Sequence, residues 1–411
     1  MPRRPRLRCL LLAGAFHLAI VAPAGAVAVG LSDQQPGTFA DTRVRALGLR
    51  YARLVVPWDA ATTEPGRVQA WLDAVAAAGM RPHVAFEHLR SERCPEAPCA
   101  VPSRARYRAA VAAFHRRFPA VRTFTTWNEA NHRSQPVASR PEAVAGLYRD
   151  LRAVCPACTV VAGDVLDSGS YVRWLRRFLA VSPVPPRLWG LHNYGDTTYG
   201  RTTGTDAVLA TVPGRLWLEE TGGIVTIRDA TGRATLATDE ARASRAIDRA
   251  FAIAARRPRI GRMYLYQWRA GASDRFDAGL VRPDGTVRPG LAAARRGLAA
   301  LAPLRWTAAW SGGRLVVRAT CRAQVARCAG RVRIALRTAR RRGAGAHIRA
   351  LGTRAYRTPA AGRTVTLRVA VPRALRRRAG LAATRTVVLR VSASAPLAAS
   401  STALLRLARP R

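Results

Sequence analysis

Two short runs place carboxylates and aromatic residues together at the ends of apolar stretches: VRTFTTWNEANH, residues 121–132, and RLWLEETGG, residues 215–223. A carboxylate taken out of water costs several kcal/mol unless it is paired or holds its proton. A glutamate closing an apolar run is therefore either a solvated loop residue or a group whose protonation matters. Glu129 in the first run and Glu219 or Glu220 in the second are carboxylates from distant segments. Such a pair suits chemistry in which one acid gives a proton while the other meets a developing positive charge or attacks as a nucleophile.

That chemistry needs a scaffold that brings the two runs face to face. Eight strand-like apolar runs occur at residues 27–33, 51–58, 81–88, 121–129, 159–165, 187–195, 215–223 and 263–268. Helix-period segments alternate with them, clearest at 67–79, 103–118, 141–154, 170–181, 238–257 and 290–304. Strand and helix in repeated alternation over this length predict an α/β fold, a (β/α)8 TIM barrel. A doubly wound sheet is the competing arrangement, but no GxGxxG opens the first unit. In a barrel the C-terminal strand ends form the site. The polar and aromatic residues gather there: Asp33, Trp58, Asp59, Glu87, His88, Asn128, Glu129, Asp164, His192, Tyr194, Glu219, Glu220, Gln267 and Trp268.

WNEANH closing the fourth strand and LWLEETGG closing the seventh resemble the acid/base and nucleophile motifs of glycoside hydrolase clan A, the barrel group that includes families 5 and 39. The resemblance spans residues 29–303 and is specific as an ordered pair of motifs. It implies a secreted glycosidase that cleaves O-glycosidic bonds of a poly- or oligosaccharide with retention, Glu129 as acid/base and Glu220 as nucleophile. Glu219 stands where the clan often has a small residue, and strand alternation predicts that it points away from the cavity Glu220 faces. The resemblance further implies that Asn128 grips a sugar hydroxyl and that His192 and Tyr194 steady the nucleophile and line the catalytic subsite. Arg53 then lies beside Glu220 and Trp268 is a sugar-stacking platform; from their chemistry alone, Trp58 and Trp127 are further faces able to cover a pyranose ring. Carboxyl groups about 5–5.5 Å apart fit retention, and about 6.5–9.5 Å fit inversion. The rival functional class is a non-catalytic barrel that binds glycans or proteins at the cell surface.

No cofactor follows from this scheme, and no metal either: there is no HExxH, and His83, His88, His132 and His192 are scattered over different strand ends.

Residues 1–26 combine a basic start, an apolar middle and small residues at Ala24 and Ala26, the pattern of a secretory signal peptide. The mature chain is then secreted or associated with the cell envelope, with no transmembrane span. Six further cysteines fall in local sets, Cys94 with Cys99, Cys155 with Cys158 and Cys321 with Cys328, as suits disulfide-closed loops in an oxidising compartment. All 68 basic residues are arginine. Residues 27–304, the expected catalytic barrel, hold 39 of them with all 24 acidic residues, whereas residues 305–411 hold 25 and no acid. The latter segment alternates with period two, as in RTVTLRVAV, and predicts a small all-β sandwich resembling the immunoglobulin-like modules of secreted actinobacterial proteins. Val365, Leu367, Val369 and Val371 should face its core. Its charge favours an anionic cell-envelope polymer as partner, beside the carbohydrate substrate of the barrel. No compact nucleic-acid motif accompanies the charge, so specific nucleic-acid binding is not expected.

Overall fold

The β-branched and aromatic runs form strands whose two faces are both covered, as parallel sheets require. In the computed structural model, which describes residues 27–90, 94, 99–301, 305–311, 314–320, 329–338, 347–357, 364–372, 385–393 and 401–406, the first strands are β1 (Ala28–Ser32), β2 (Tyr51–Pro57), β3 (Arg81–Glu87) and β4 (Thr123–Thr125). They are followed by β5 (Thr159–Val161), β6 (Asp164–Leu166), β7 (Leu188–His192) and β8 (Arg215–Thr221). Next come β9 (Thr226–Arg228), β10 (Ala234–Leu236), β11 (Ile260–Tyr266) and β12 (Phe276–Asp277). The segment 1–26 and the Cys321–Cys328 pair lie outside the described residues.

One sheet runs in the order β5-β4-β3-β2-β1-β11-β8-β7-β6, every pairing parallel. Its two ends are one strand. Only Ala162 and Gly163 separate β5, paired with β4, from β6, paired with β7. Across this break Ala162 N donates to Leu188 O at 3.0 Å, and Gly190 N donates to Gly163 O at 2.8 Å. The nine segments therefore close as eight staves, a (β/α)8 barrel.

Helices surround the strands: α1 (Thr42–Leu47), α2 (Ala60–Thr63), α3 (Pro65–Ala77), α4 (Arg104–Arg117), α5 (Pro141–Val154), α6 (Tyr171–Ala180), α7 (Tyr194–Tyr199), which lies at the mouth, α8 (Thr203–Thr211), α9 (Glu240–Arg256) and α10 (Pro289–Leu301). Their buried residues recur at helical spacing, Val144, Leu147 and Leu151 on α5 and Ala243, Ile247, Ala250, Phe251 and Ala254 on α9. Starts are marked chemically: Ser103 caps α4 by accepting from Arg106 N, and Asp239 caps α9 by accepting from Arg242 N. Strands β9, β10 and β12 form a separate antiparallel flap. Disulfides join Cys94 to Cys99 and Cys155 to Cys158, each with Cα atoms 5.3 Å apart.

The inside of the barrel is unusual in being polar below its mouth. Arg53, His83, Thr125, Asp164 and Glu219 are all buried there, with the Tyr264 hydroxyl on His83 Nδ1 at 3.0 Å. Glycines make the room. A Cβ on Gly30 would overlap the Tyr264 ring, and one on Gly190 would lie 2.8 Å from Glu219 Cγ.

Beyond the barrel the described strands are β13 (Arg305–Ser311), β14 (Arg314–Thr320), β15 (Ala329–Thr338), β16 (His347–Arg357), β17 (Thr364–Ala370), β18 (Arg385–Ala393) and β19 (Ser401–Arg406). They form two sheets, β13-β14-β17 and β16-β15-β18-β19. Along β17 and just after it Val365, Leu367, Val369 and Val371 are the more buried set, and Thr366 and Arg368 are exposed. No helix among the described residues is long and apolar enough to cross a membrane.

Candidate active site

Arg53 is the hub of the site. On β2 it points inward, fully buried, and all five of its N–H donors find acceptors. Nε reaches Glu219 Oε2 at 3.2 Å, Nη1 reaches Glu220 Oε1 at 2.7 Å and Ser32 Oγ at 3.3 Å, and Nη2 reaches Asn128 Oδ1 at 2.7 Å and Asp164 Oδ2 at 2.8 Å. Burial opposes its charge, but the three carboxylates outweigh that and bind its proton more firmly than usual.

Glu219 departs from the alternation expected of it. Between Leu191 paired with Leu218 and His192 paired with Glu220 the register of β8 slips by one residue, and it slips again against β11 between Met263 and Leu265. This bulge lets two consecutive carboxylates turn to the same guanidinium. Glu219 drops into the barrel, where the Thr125 hydroxyl donates to it and His83 Nε2 lies 3.6 Å away. Burial pushes its carboxyl up to about 7. Glu220 turns to the mouth and accepts from the Tyr194 hydroxyl at 3.3 Å.

Opposite stands Glu129, just beyond β4. Its φ of 44° makes it the one non-glycine residue in the left-handed region among those described. The strain is held from both sides, since Asn128 N donates to Phe86 O at 2.7 Å and Ala130 N donates to Asp164 O at 2.8 Å. A non-glycine backbone in that region persists where its surroundings over-determine it, commonly at functional sites. Glu129 Oε1 lies 3.0 Å from His192 Nδ1, while His192 Nε2 lies 2.7 Å from Asp164 Oδ2, an ion-pair contact rather than an aligned hydrogen bond.

The electrostatics follow from this crowding. Burial works against a charged His192, yet Asp164 and Glu220 overcome it and raise the imidazole well above its ordinary range. Burial alone would raise Glu129, but His192 beside it holds it below the usual carboxylate range. Glu220 is raised, by burial first, against the pull of His192 and Arg53. One ligand atom each from Glu129, His192 and Glu220 lie within 4.8 Å of one another. Each ring nitrogen of His192 thus has a carboxylate oxygen beside it, Glu129 at Nδ1 and Asp164 at Nε2. In the other such grouping, His115 with Cys155 and Cys158, both thiols are spent in a disulfide.

Above these groups opens a cleft of about 1000 Å³. Asn128, Glu129, Tyr194 and Glu220 line it, with Tyr171, Tyr199, Tyr266 and Phe276 as aromatic surfaces and Ile227 and Leu236 of the flap as an apolar wall. Arg53 and His192 sit directly beneath, bonded to the lining carboxylates. Trp58 and Trp268 do not reach the cleft. Trp268 is 2% exposed, its Nε1 on Asp41 Oδ2 at 3.0 Å, its backbone N on Asp33 Oδ2 at 2.9 Å, and the Arg43 guanidinium over its ring. Trp58 is likewise buried, with Arg106 over its ring, and Trp127 donates to Gln135 in the core. The residue that does reach the mouth from β11 is Tyr266, two before Trp268 and on the same face as Tyr264. Period-two counting from Tyr264 identifies it in the sequence. Phe276 sits on the flap, for which the sequence carries no strong signal.

The sequence matches no protein-family model and no curated protein. The fold is similar to several solved glycoside hydrolase barrels. A family 39 glycoside hydrolase from the gut symbiont Bacteroides cellulosilyticus WH2 matches with TM-score 0.50 and 14% identity over 84% of this chain and 81% of that one. A GH5_18 protein from Streptomyces cattleya, solved with GlcNAc, matches with TM-score 0.51 and 17% identity over 67% and 80%. A glucosidase from Croceicoccus marinus matches with TM-score 0.50 and 12% identity over 86% and 97%. At these identities the likeness is one of fold.

Proposed function

We propose that the chain is a glycoside hydrolase that cleaves O-glycosidic bonds of a poly- or oligosaccharide with retention. The reading rests on one observation: an oxygen of Glu129 and an oxygen of Glu220, brought from opposite sides of the barrel, come within 4.8 Å of one another at the floor of the cleft. Such proximity favours the closer-set retaining pair over the wider-set inverting one. Glu129 is then the acid/base. Glu220, with Arg53 Nη1 and the Tyr194 hydroxyl on its oxygens, is the nucleophile. Attack comes from the Glu220 side and the leaving oxygen departs toward Glu129. Asn128 offers its amide to a sugar hydroxyl, and Tyr266, Tyr194 and Phe276 offer faces for a pyranose ring. The expected result is hydrolysis by the secreted protein of at least one substrate in a panel of aryl glycosides and polysaccharides. Binding without turnover across the panel would leave the non-catalytic glycan-binding barrel as the surviving reading.

The remaining organisation belongs to the same proposal: a signal at 1–26, a catalytic barrel at 27–304 and an accessory domain at 305–411. Support for a two-layer sandwich comes from Trp306 on β13 and Tyr356 on β16, members of different sheets whose rings meet edge to face at 5.2 Å. Arg318, Arg333, Arg349, Arg354 and Arg368 are exposed on its strands, in a segment without a single acid. A cell-envelope polymer rich in phosphate or carboxylate is the partner such a surface fits. Retention on envelope preparations at low salt and release at high salt is the expected behaviour, because exposed charges are screened within about 10 Å at 0.1 M salt. Retention independent of salt would count against it.

A further inference from the structure

The acid step of a glycosidase needs a proton on its acid residue, yet His192 holds Glu129 below the usual carboxylate range. The geometry shows where the proton waits. His192 touches a carboxylate with each nitrogen, Glu129 Oε1 at 3.0 Å from Nδ1 and Asp164 Oδ2 at 2.7 Å from Nε2. Glu220 Oε2 is also 3.6 Å from Nδ1. We propose that Asp164, His192 and Glu129 form a proton relay, in which His192 Nδ1 stores the catalytic proton and Asp164 is the positioning residue that keeps it there. The inference rests on the glycosidase reading and deepens it.

In the resting state the ring carries both N–H groups and Glu129 is ionised. When a substrate covers the cleft and excludes water, an ion pair loses its solvation, and the neutral arrangement gains. The Nδ1 proton then moves to Glu129 Oε1, leaving His192 neutral with its remaining hydrogen on Nε2 toward Asp164. Glu129 passes the proton to the glycosidic oxygen as the C–O bond breaks, the bonding pair going to the leaving group. In the second step the attacking water gives its proton to Glu129, and the relay returns it to Nδ1. Nothing is consumed beyond substrate and water.

The charged neighbours that set the balance come from β2, β3, β4, β6 and β8, with Glu87 on β3 acting on Glu129. Asp164 approaches from β6, Glu129 from the turn after β4, and Glu220 and Glu219 from β8; Arg53 from β2 shares both Asp164 and Glu220. Tyr194, at the start of α7, packs its ring edge-on at 6.3 Å. Of these, Asp164 makes the shortest contact with the ring and lines no part of the cleft, so it is the group whose removal reads the relay without touching the substrate.

The test is Asp164→Asn, an isosteric loss of one charge, with His192 titrated by NMR of its ring nitrogens and the pH profile of kcat measured on an unactivated glycoside. In the relay one proton is shared by His192 and Glu129. Removing Asp164 makes His192 less basic, so the shared proton leaves at lower pH. The ring titration and the alkaline limb of kcat should fall together by about one pH unit, with kcat down about tenfold at neutral pH. Asp164→Glu should restore both in part. A limb that stays in place would mark Asp164 as merely structural. A limb that rises would make His192 a fixed charge rather than a donor. Either overturns the relay. If Asp164→Asn does not fold, the wild-type ring decides: an imidazolium persisting through neutrality supports the proposal, and a neutral ring at pH 7 ends it. The titration needs no turnover, so the two failures are told apart: an inactive protein whose His192 still titrates high refutes the glycosidase reading and the relay's role with it, whereas an active protein with a neutral ring at pH 7 refutes the relay alone.

Discussion

Glu220→Gln is expected to abolish turnover of every substrate, by about 10⁴-fold or more, since a nucleophile acting within a catalytic unit is not replaced by its neighbours. Glu129→Ala should divide substrates by leaving group. An activated aryl glycoside needs little protonation and retains most of its first-step rate, whereas an unactivated glycoside loses about 10²–10⁴-fold. Azide should partly rescue the Glu129→Ala variant by taking the place of the base-activated water. With a β-linked substrate the product is then a β-glycosyl azide, its configuration read by NMR. Near-wild-type turnover of an unactivated substrate by either variant would sink the assignment. An azide of inverted configuration would sink retention alone. The neighbouring Glu219 cannot rescue Glu220→Gln, because it lies below the mouth with Arg53 Nε on its Oε2.

Arg53→Leu carries the largest expected effect on stability. It would leave Asp164, Glu219 and Glu220 buried without the cation that faces all three. Breaking a buried pair costs about 3–5 kcal/mol, and here one cation serves three partners. The loss depends on pH in a definite direction. Glu219 already sits at about 7, above its ordinary 4.5, and loss of Arg53 raises it and Glu220 further. A carboxyl raised in the folded state contributes stability that is fully present below its unfolded value and is lost as pH rises through its folded value. Urea unfolding of the variant should therefore show a modest deficit at pH 5 and a severe one at pH 8, with Glu219→Gln in the same background recovering part of the loss at pH 8. Equal deficits at both pH values would mean that packing, not charge, accounts for Arg53.

Much of the frame is legible in the sequence because barrel strands and helices differ in period. The strands expected at 51–58 and 81–88 are β2 and β3 to within a residue, and the helix expected at 141–154 is α5. The strand expected at 121–129 shrinks to Thr123–Thr125, because the chain turns at Trp127 into the left-handed geometry of Glu129. The run 159–165 is two strands, since Gly163 lies where the stave changes partners. The last barrel strand starts at Ile260 rather than 263, where Gly261 and Arg262 dilute its apolar signal. The segments 195–204 and 271–285 read from the sequence as loops walling the cleft, and α7, α8 and the flap strands within and beside them are too short and weakly striped for periodicity to show. At the site, residue types at strand ends bring forward Glu129, Glu220, Asn128, His192 and Tyr194, and the family resemblance adds Arg53; the barrel gathers all six. Residue types mislead on the tryptophans, because a large aromatic at a strand end looks the same whether it faces sugar or braces the wall, as Trp268 does against Asp33 and Asp41. The bulge that turns Glu219 inward is a matter of register between strands, which a single strand's letters do not encode.

The stave that changes partners at Ala162 and Gly163 also bears on how such a protein can diverge. Asp164 is the first residue after the break, and its carbonyl pins the Glu129 turn through Ala130 N. A one-residue insertion or deletion there would rotate Asp164 out of the barrel and free the turn in the same event. Much of the cleft wall comes instead from α7, from the residues between β6 and α6, and from the flap, none of which is a stave, while Val55, Glu87 and Tyr266 line it from β2, β3 and β11. The loop-borne part of the cleft is thus open to piecemeal revision by loop exchange, while the buried charged groups on the staves change together or not at all.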